Sequence, residues 1–138
     1  MKFFFLFITL FFSTALLSQK EGHIWYFGNG IGLNFSSPKP KVLKDGGINT
    51  YEGCATISDG TGKLLFYTNG VEVWAGNHKP MTNGKGLGGH ISSTQSALIV
   101  PKPKSPNLYY IFTIDASENQ LVGGLKYSIV DMKANGGL

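Results

Sequence analysis

A chain of 138 residues is long enough for one domain with a real core. Its formal charge of +4 comes from 12 basic and 8 acidic residues, and every basic residue is lysine. Nucleic-acid sites lean on arginine for bidentate contacts, so its absence weighs against that partner, and the single cysteine excludes an intrachain disulfide.

The N-terminus is set apart by composition. Met1-Lys2 is a short positive start, Phe3 to Phe12 is almost unbroken Phe, Leu and Ile, and small residues follow at Ser13, Thr14, Ala15 and Ser18. That is the layout of a secretory signal peptide over residues 1–18, cut after Ala15 or after Ser18. The apolar run falls short of the ~20 residues a spanning helix needs, so no membrane span is expected after cleavage. The leader holds six of the ten Phe, while all 19 Gly follow it. What remains is rich in turn-forming glycine and in Tyr, Trp, Val, Ile and Thr, which predicts an all-β fold.

HIWYF (His23 to Phe27), the turn Gly28-Asn29-Gly30 and IGLNF (Ile31 to Phe35) read as strand, turn and strand. Ser36 to Lys41 carries Pro38 and Pro40 and reads as extended or loop, and Asp45-Gly46-Gly47 as a turn. Glu52 to Ala75 then holds three apolar runs, separated by the DGTG loop and by Asn69-Gly70. This predicts a three-stranded antiparallel meander whose second hairpin has a two-residue turn at Asn69-Gly70. Such a turn places Thr68 opposite Val71, Phe66 opposite Val73 and Leu64 opposite Ala75 on one face. It places Tyr67 opposite Glu72 and Leu65 opposite Trp74 on the other. Both faces are largely apolar, so something is expected to stack on each side.

Gly76 to His90, with five glycines and Pro80, reads as a long connection. Strands then recur as ALIV (Ala97 to Val100), LYYIFTID (Leu108 to Asp115) and LKYSIVDM (Leu125 to Met132). Against the first meander, Leu98 lies 43 residues beyond Ala55, Tyr110 lies 45 beyond Leu65 and Tyr127 lies 53 beyond Trp74. A multi-stranded unit of about 40–50 residues is the size of a WD40-like blade, so antiparallel meanders forming part of a β-propeller are expected, with a β-sandwich as the alternative.

The chain offers few signs of chemistry. His23, His78 and His90 show no metal-ligand spacing, and SDGTG (Ser58 to Gly62) lacks the alternating acids of an EF-hand. Ser92-Ser93-Thr94-Gln95-Ser96 is dense in hydroxyls, yet no nucleophile motif sets a base beside Ser92 or Ser93. Cys54 opens an apolar strand and reads as a structural thiol. No catalytic residue, metal ligand or cofactor site is expected. Trp74, Asn77 and His78, at the mouth of the glycine-rich connection, are the candidate ligand-binding residues, through stacking on and hydrogen bonding to a sugar.

IWYFGNG (Ile24 to Gly30), EGCATISD (Glu52 to Asp59), LLFYTNG (Leu64 to Gly70), VEVWAGNH (Val71 to His78), SSTQSALIVPKP (Ser92 to Pro103) and NLYYIFTID (Asn107 to Asp115) occur in that order. In this they resemble the N-terminal propeller-like region of large secreted proteins of gliding bacteria that end in a gliding-motility-associated, type IX sorting domain. The resemblance implies export to the cell surface or medium and a propeller used for binding glycan, protein or an adhesion partner. It implies that residues 19–138 are an N-terminal part of that propeller, with further blades and the sorting domain beyond them. A propeller-type enzyme, such as a glycosidase or lyase with its catalytic residues largely elsewhere, is the alternative.

Overall fold

A computed structural model describes residues 20–134, so the expected leader lies outside the described residues. These form three antiparallel sheets, each built from strands that follow one another in the chain. The first sheet contains β1 (Ile24–Phe27), β2 (Ile31–Asn34) and β3 (Lys41–Leu43). The second contains β4 (Ala55–Ser58), β5 (Leu64–Thr68), β6 (Glu72–Ala75) and β7 (Pro80–Lys85). The third contains β8 (Ala97–Pro101), β9 (Leu108–Ile114) and β10 (Leu125–Asp131), and a 3-10 turn lies at Ser117–Asn119. The all-β class expected from composition is therefore the class observed.

The central meander differs from its expected form in three ways. Thr68 pairs with Val73, Tyr67 with Trp74 and Phe66 with Ala75, so the connection spans Asn69 to Glu72 and not two residues. Side chains decide this. Asn69 Oδ1 accepts the Val71 and Glu72 amides at 2.9 Å each, and Thr68 Oγ1 accepts the Gly70 amide while donating to the Glu72 carbonyl. Only Gly70 takes positive φ, whereas a type I′ turn needs it at both central residues. The slip is an even number of residues, so Phe66 and Val73 still share a face.

The second difference is a bulge. Ile57 pairs with Phe66 but Ser58 with Leu64, which leaves Leu65 as an extra residue in β5. Leu65 consequently turns toward the Phe66 side and Leu64 toward the Tyr67 side, the reverse of simple alternation. Trp74 lies across from Tyr67 and not from Leu65 for the earlier reason, the longer connection, which shifts every β5–β6 pair by two residues. The third difference is β7, a fourth strand inside the expected long connection, whose sequence PMTNGK hides it behind Pro, Asn and Gly. The first sheet likewise gains β3, beyond the proline-containing stretch.

Both faces of the central sheet are covered, as its sequence predicts. On one side Ile57, Phe66 and Val73 pack with Ala97, Ile111 and Val130 of the third sheet. On the other, Tyr67 and Trp74 pack with Tyr26 of the first sheet and with Ile48. Strand β4 lies against both β1 and β8, so the three sheets stack in chain order.

The facing directions correct the repeat. An offset of 45 would make Phe66 and Ile111 equivalent, yet both lie in the same inter-sheet cluster and face each other. Trp74 and Tyr127 also fail to match, since Trp74 is buried toward the first sheet and Tyr127 is 64% exposed. Asn69 and Asp115, which are 46 residues apart, match better. Each follows the second strand of its sheet and caps the connection after it through side-chain oxygens. On that footing Phe66 corresponds to Phe112, and each sheet points the same way as the next.

The two ends of the stack remain open among the described residues. Beyond the first sheet, cross-strand pairing aligns Trp25, Leu33 and Val42 on one outward face, with Trp25 and Val42 53% and 60% exposed. Beyond the third, Leu98, Phe112 and Tyr127 align in the same way, next to Ile129.

Candidate functional site

The three residues proposed from sequence lie together on the β6–β7 hairpin, but they perform different tasks. Trp74 is 6% exposed and stacks on Tyr67 with ring centres 5.7 Å apart, so its ring is covered within the core. Asn77 is exposed, and its Oδ1 accepts the Lys79 amide at 3.1 Å, an Asx turn. His78 has φ of 65°, a left-handed conformation that is costly for a residue with a side chain.

His78 belongs to a polar network along the seam between the first two sheets. Tyr67 Oη accepts the Gly47 amide at 2.8 Å and lies 3.2 Å from His78 Nδ1. The other ring nitrogen, His78 Nε2, lies 3.5 Å from Asp45 Oδ2. Asp45 Oδ1 in turn accepts the Tyr26 hydroxyl at 2.6 Å. Tyr26 stacks on the opposite face of Tyr67 from Trp74 in an aromatic column, with 4.7 Å between the two tyrosine rings. Gly47 makes the column possible, because a Cβ there would stand 2.8 Å from Trp74 Cδ1. Sequence reasoning missed Asp45 and Tyr67, whose only signal was an acid beside a double glycine and a tyrosine in an apolar run.

The electrostatics follow from this packing. Burial, and then the bond to Asp45, push the Tyr26 hydroxyl well above its ordinary range. Burial raises Tyr67 as well. The Tyr26 hydroxyl holds the Asp45 carboxyl below its ordinary 3.8. Asp59 and Asp115 are also lowered, chiefly by hydrogen bonds from Thr61 and Asn119. A depressed carboxylate contributes stability that is complete above its unfolded value and is lost as pH falls through the folded one. Denaturant midpoints should therefore decline as pH drops below about 4, and Asp45→Asn should make that decline shallower. An unchanged pH profile in the variant would remove Asp45 from the account.

A second network was not visible in the sequence. Ser92 Oγ lies 2.9 Å from His90 Nδ1 and donates to Glu118 Oε1 on the 3-10 turn. No nucleophile motif marks this site, yet the fold brings a base beside Ser92: His90 comes from two residues upstream and Glu118 from a distant loop. Around it, the SSTQS segment mainly secures backbone. The Ser93 carbonyl accepts the Gly53 amide at 3.0 Å, and Ser96 Oγ donates to the Gly53 carbonyl at 2.6 Å. Cys54, half-buried, points its thiol at the Tyr26 carbonyl, and burial pushes it up in pKa.

A cavity of about 290 Å³ opens between β7 and β10, lined by Val73, Leu87, Ile111 and Val130 together with Lys85 and Asp131. Among the described residues no three His, Cys, Asp or Glu side chains gather as a metal site. No helix among them is long and apolar enough to cross a membrane. No protein-family model, curated protein or solved structure matches the chain.

Proposed function

We propose that this chain is a non-catalytic binding or scaffold region of an exported cell-surface protein, built of propeller-type blades. The observation that carries this reading is the stack itself. A four-stranded meander lies between two further antiparallel sheets, and both ends of the stack offer broad apolar and aromatic faces. Aligned exposed apolar and aromatic side chains of this kind suit a contact surface. The side chains best suited to chemistry are engaged elsewhere: Tyr67 and Trp74 are buried and hold the first two sheets together. Glycan, protein or adhesion partners all fit an aromatic surface such as the one formed by Tyr110, Phe112 and Tyr127, and export machinery would be met on the way.

Export is tested by N-terminal sequencing of the protein recovered outside the cell. The mature chain should begin between residues 16 and 19, and a product still starting at Met1 would refute the leader. A second reading, an enzyme, is favoured by one observation, the approach of His90 and Glu118 to Ser92. The single Ser92 proton is directed at Glu118, however, and the imidazole meets the hydroxyl through Nδ1, with its acid partner Glu118 Oε1 4.0 Å from that same nitrogen. A relay of the serine-hydrolase kind needs the acid on the opposite ring nitrogen. A fluorophosphonate probe should leave Ser92 unlabelled; stoichiometric labelling, lost in Ser92→Ala, would make the enzyme the better reading.

A further inference from the structure

We propose that Asn83 is a site of spontaneous covalent modification, losing its side-chain amide through attack by the Gly84 backbone nitrogen, while the fold holds Asn29 and Asn69 out of the same reaction. The inference is independent of the function proposed above. Asn followed by Gly is the pair most open to this chemistry, because glycine has no Cβ to crowd the approach and its backbone turns freely. Four such pairs occur in the sequence, at Asn29, Asn69, Asn83 and Asn135, and the last lies outside the described residues. In the reaction the Gly84 nitrogen gives up its proton and bonds to the Asn83 side-chain carbonyl carbon. The bond from that carbon to the amide nitrogen breaks, ammonia carries a proton away, and a succinimide ring is left. Water opens the ring at either carbonyl, giving aspartate or, with the backbone rerouted through the side chain, isoaspartate. Water is the sole co-reactant, and nothing is oxidised or reduced.

The two protected pairs are tied at the atoms that would react. Asn69 is 5% exposed, its Oδ1 accepts the Val71 and Glu72 amides, and its Nδ2 donates to the Asn49 carbonyl at 3.0 Å. The nitrogen that would attack it, that of Gly70, donates to Thr68 Oγ1 at 2.9 Å. Beside Asn29, the Gly30 amide donates to the Ile48 carbonyl at 2.8 Å. The Thr50 amide donates to the Gly28 carbonyl at 3.0 Å, and Asn29 itself forms an antiparallel bridge with Asn49. Asn83 stands differently. It is exposed, with no side-chain hydrogen bond among the described residues. Strand β7 pairs with β6 at Lys85 and Pro80, opposite Glu72 and Trp74, so Met81 to Gly84 all face the single residue Val73. Regular ladder pairing therefore fixes neither Asn83 nor Gly84, and a left-handed φ of 58° at Asn83 interrupts the extended backbone there. The product sets a carboxylate on the rim of the cavity between β7 and β10, which Lys85 and Asp131 also line.

The test is a time course on the purified chain at mildly alkaline pH, where the attacking nitrogen loses its proton more readily, with circular dichroism confirming that the fold persists. Digestion and mass spectrometry then read each Asn-Gly pair separately. The peptide carrying Asn83 should convert from amide to a mixture of aspartate and isoaspartate many-fold faster than those carrying Asn29 and Asn69. The same time course in urea removes the hydrogen bonds at Asn29 and Asn69, and the three rates should then converge. An Asn83 that stays intact in the folded chain overturns the proposal, as does an Asn29 or Asn69 that reacts as fast as Asn83 there. An order of rates unchanged in urea overturns it as well, because neighbouring sequence, and not the fold, would then set the reactivity.

Discussion

Gly53→Ala should destabilise the protein by about 3 kcal/mol, the upper end of the cost of overpacking a tight site. A Cβ on Gly53 would stand 2.4 Å from the Ser96 nitrogen, 2.6 Å from the Ser93 oxygen and 2.9 Å from the Thr94 oxygen. All three are backbone atoms, so no side chain can swing aside. Nor can the segments part freely. Gly53 donates to Ser93, and its carbonyl accepts both Thr50 Oγ1 and Ser96 Oγ, bonds that a shift would break together. Against a net stability of roughly 5–15 kcal/mol this is a large fraction. The control is Gly60→Ala, where the new methyl meets only Glu21 Oε1 at 3.6 Å and little change is expected. Urea unfolding of both variants decides it, and equal midpoints would show that the loop yields more easily than its bonding suggests.

Tyr67→Ala should cost about 3–5 kcal/mol, the range for truncating a buried aromatic ring. The ring is 0% exposed and lies between Tyr26 and Trp74, so its removal leaves a gap at the seam of two sheets. Tyr67→Phe keeps the column and deletes only the hydroxyl. That change should cost about 1 kcal/mol, because the Gly47 amide and His78 Nδ1 lose a partner but lie toward solvent at the seam. A Tyr67→Phe variant as unstable as Tyr67→Ala would mean that the polar network, and not the stacked rings, joins the sheets.

Much of the scaffold was legible because strands announce themselves locally. IWYF, LLFYT and LYYIFTI all lie where β-prone runs between glycine- or proline-containing turns placed them. The two covered faces of the central meander were legible too, since alternation with apolar residues at both parities admits no wet side. Register was not. Asn69 looked like the first residue of a two-residue turn, and what settled the longer loop was four hydrogen bonds made by its own side chain and that of Thr68. The Leu65 bulge inverts two leucines that no pattern distinguishes, and β7 has the composition of a loop. Both polar networks escaped for another reason. Asp45, Tyr67 and His78, or His90 and Glu118, are brought together by stacking and by loop closure, and no local motif records either.

Because each sheet is assembled only from consecutive strands, no sheet waits for a distant part of the chain. Hairpin partners such as Ala55 and Thr68, or Ile114 and Leu125, lie close in sequence, so each pairing closes a short loop at low entropic cost. Longer-range bonds come later: Ser96 and Ser93 reach back to Gly53 only once the third sheet has begun. A chain of this topology can be laid down sheet by sheet from its N-terminal end, each new meander condensing on the face of the one before it. As the chain emerges from synthesis, N-terminus first, that order of assembly lets folding keep pace with emergence, without a stage at which the whole chain must be present before any of it is stable.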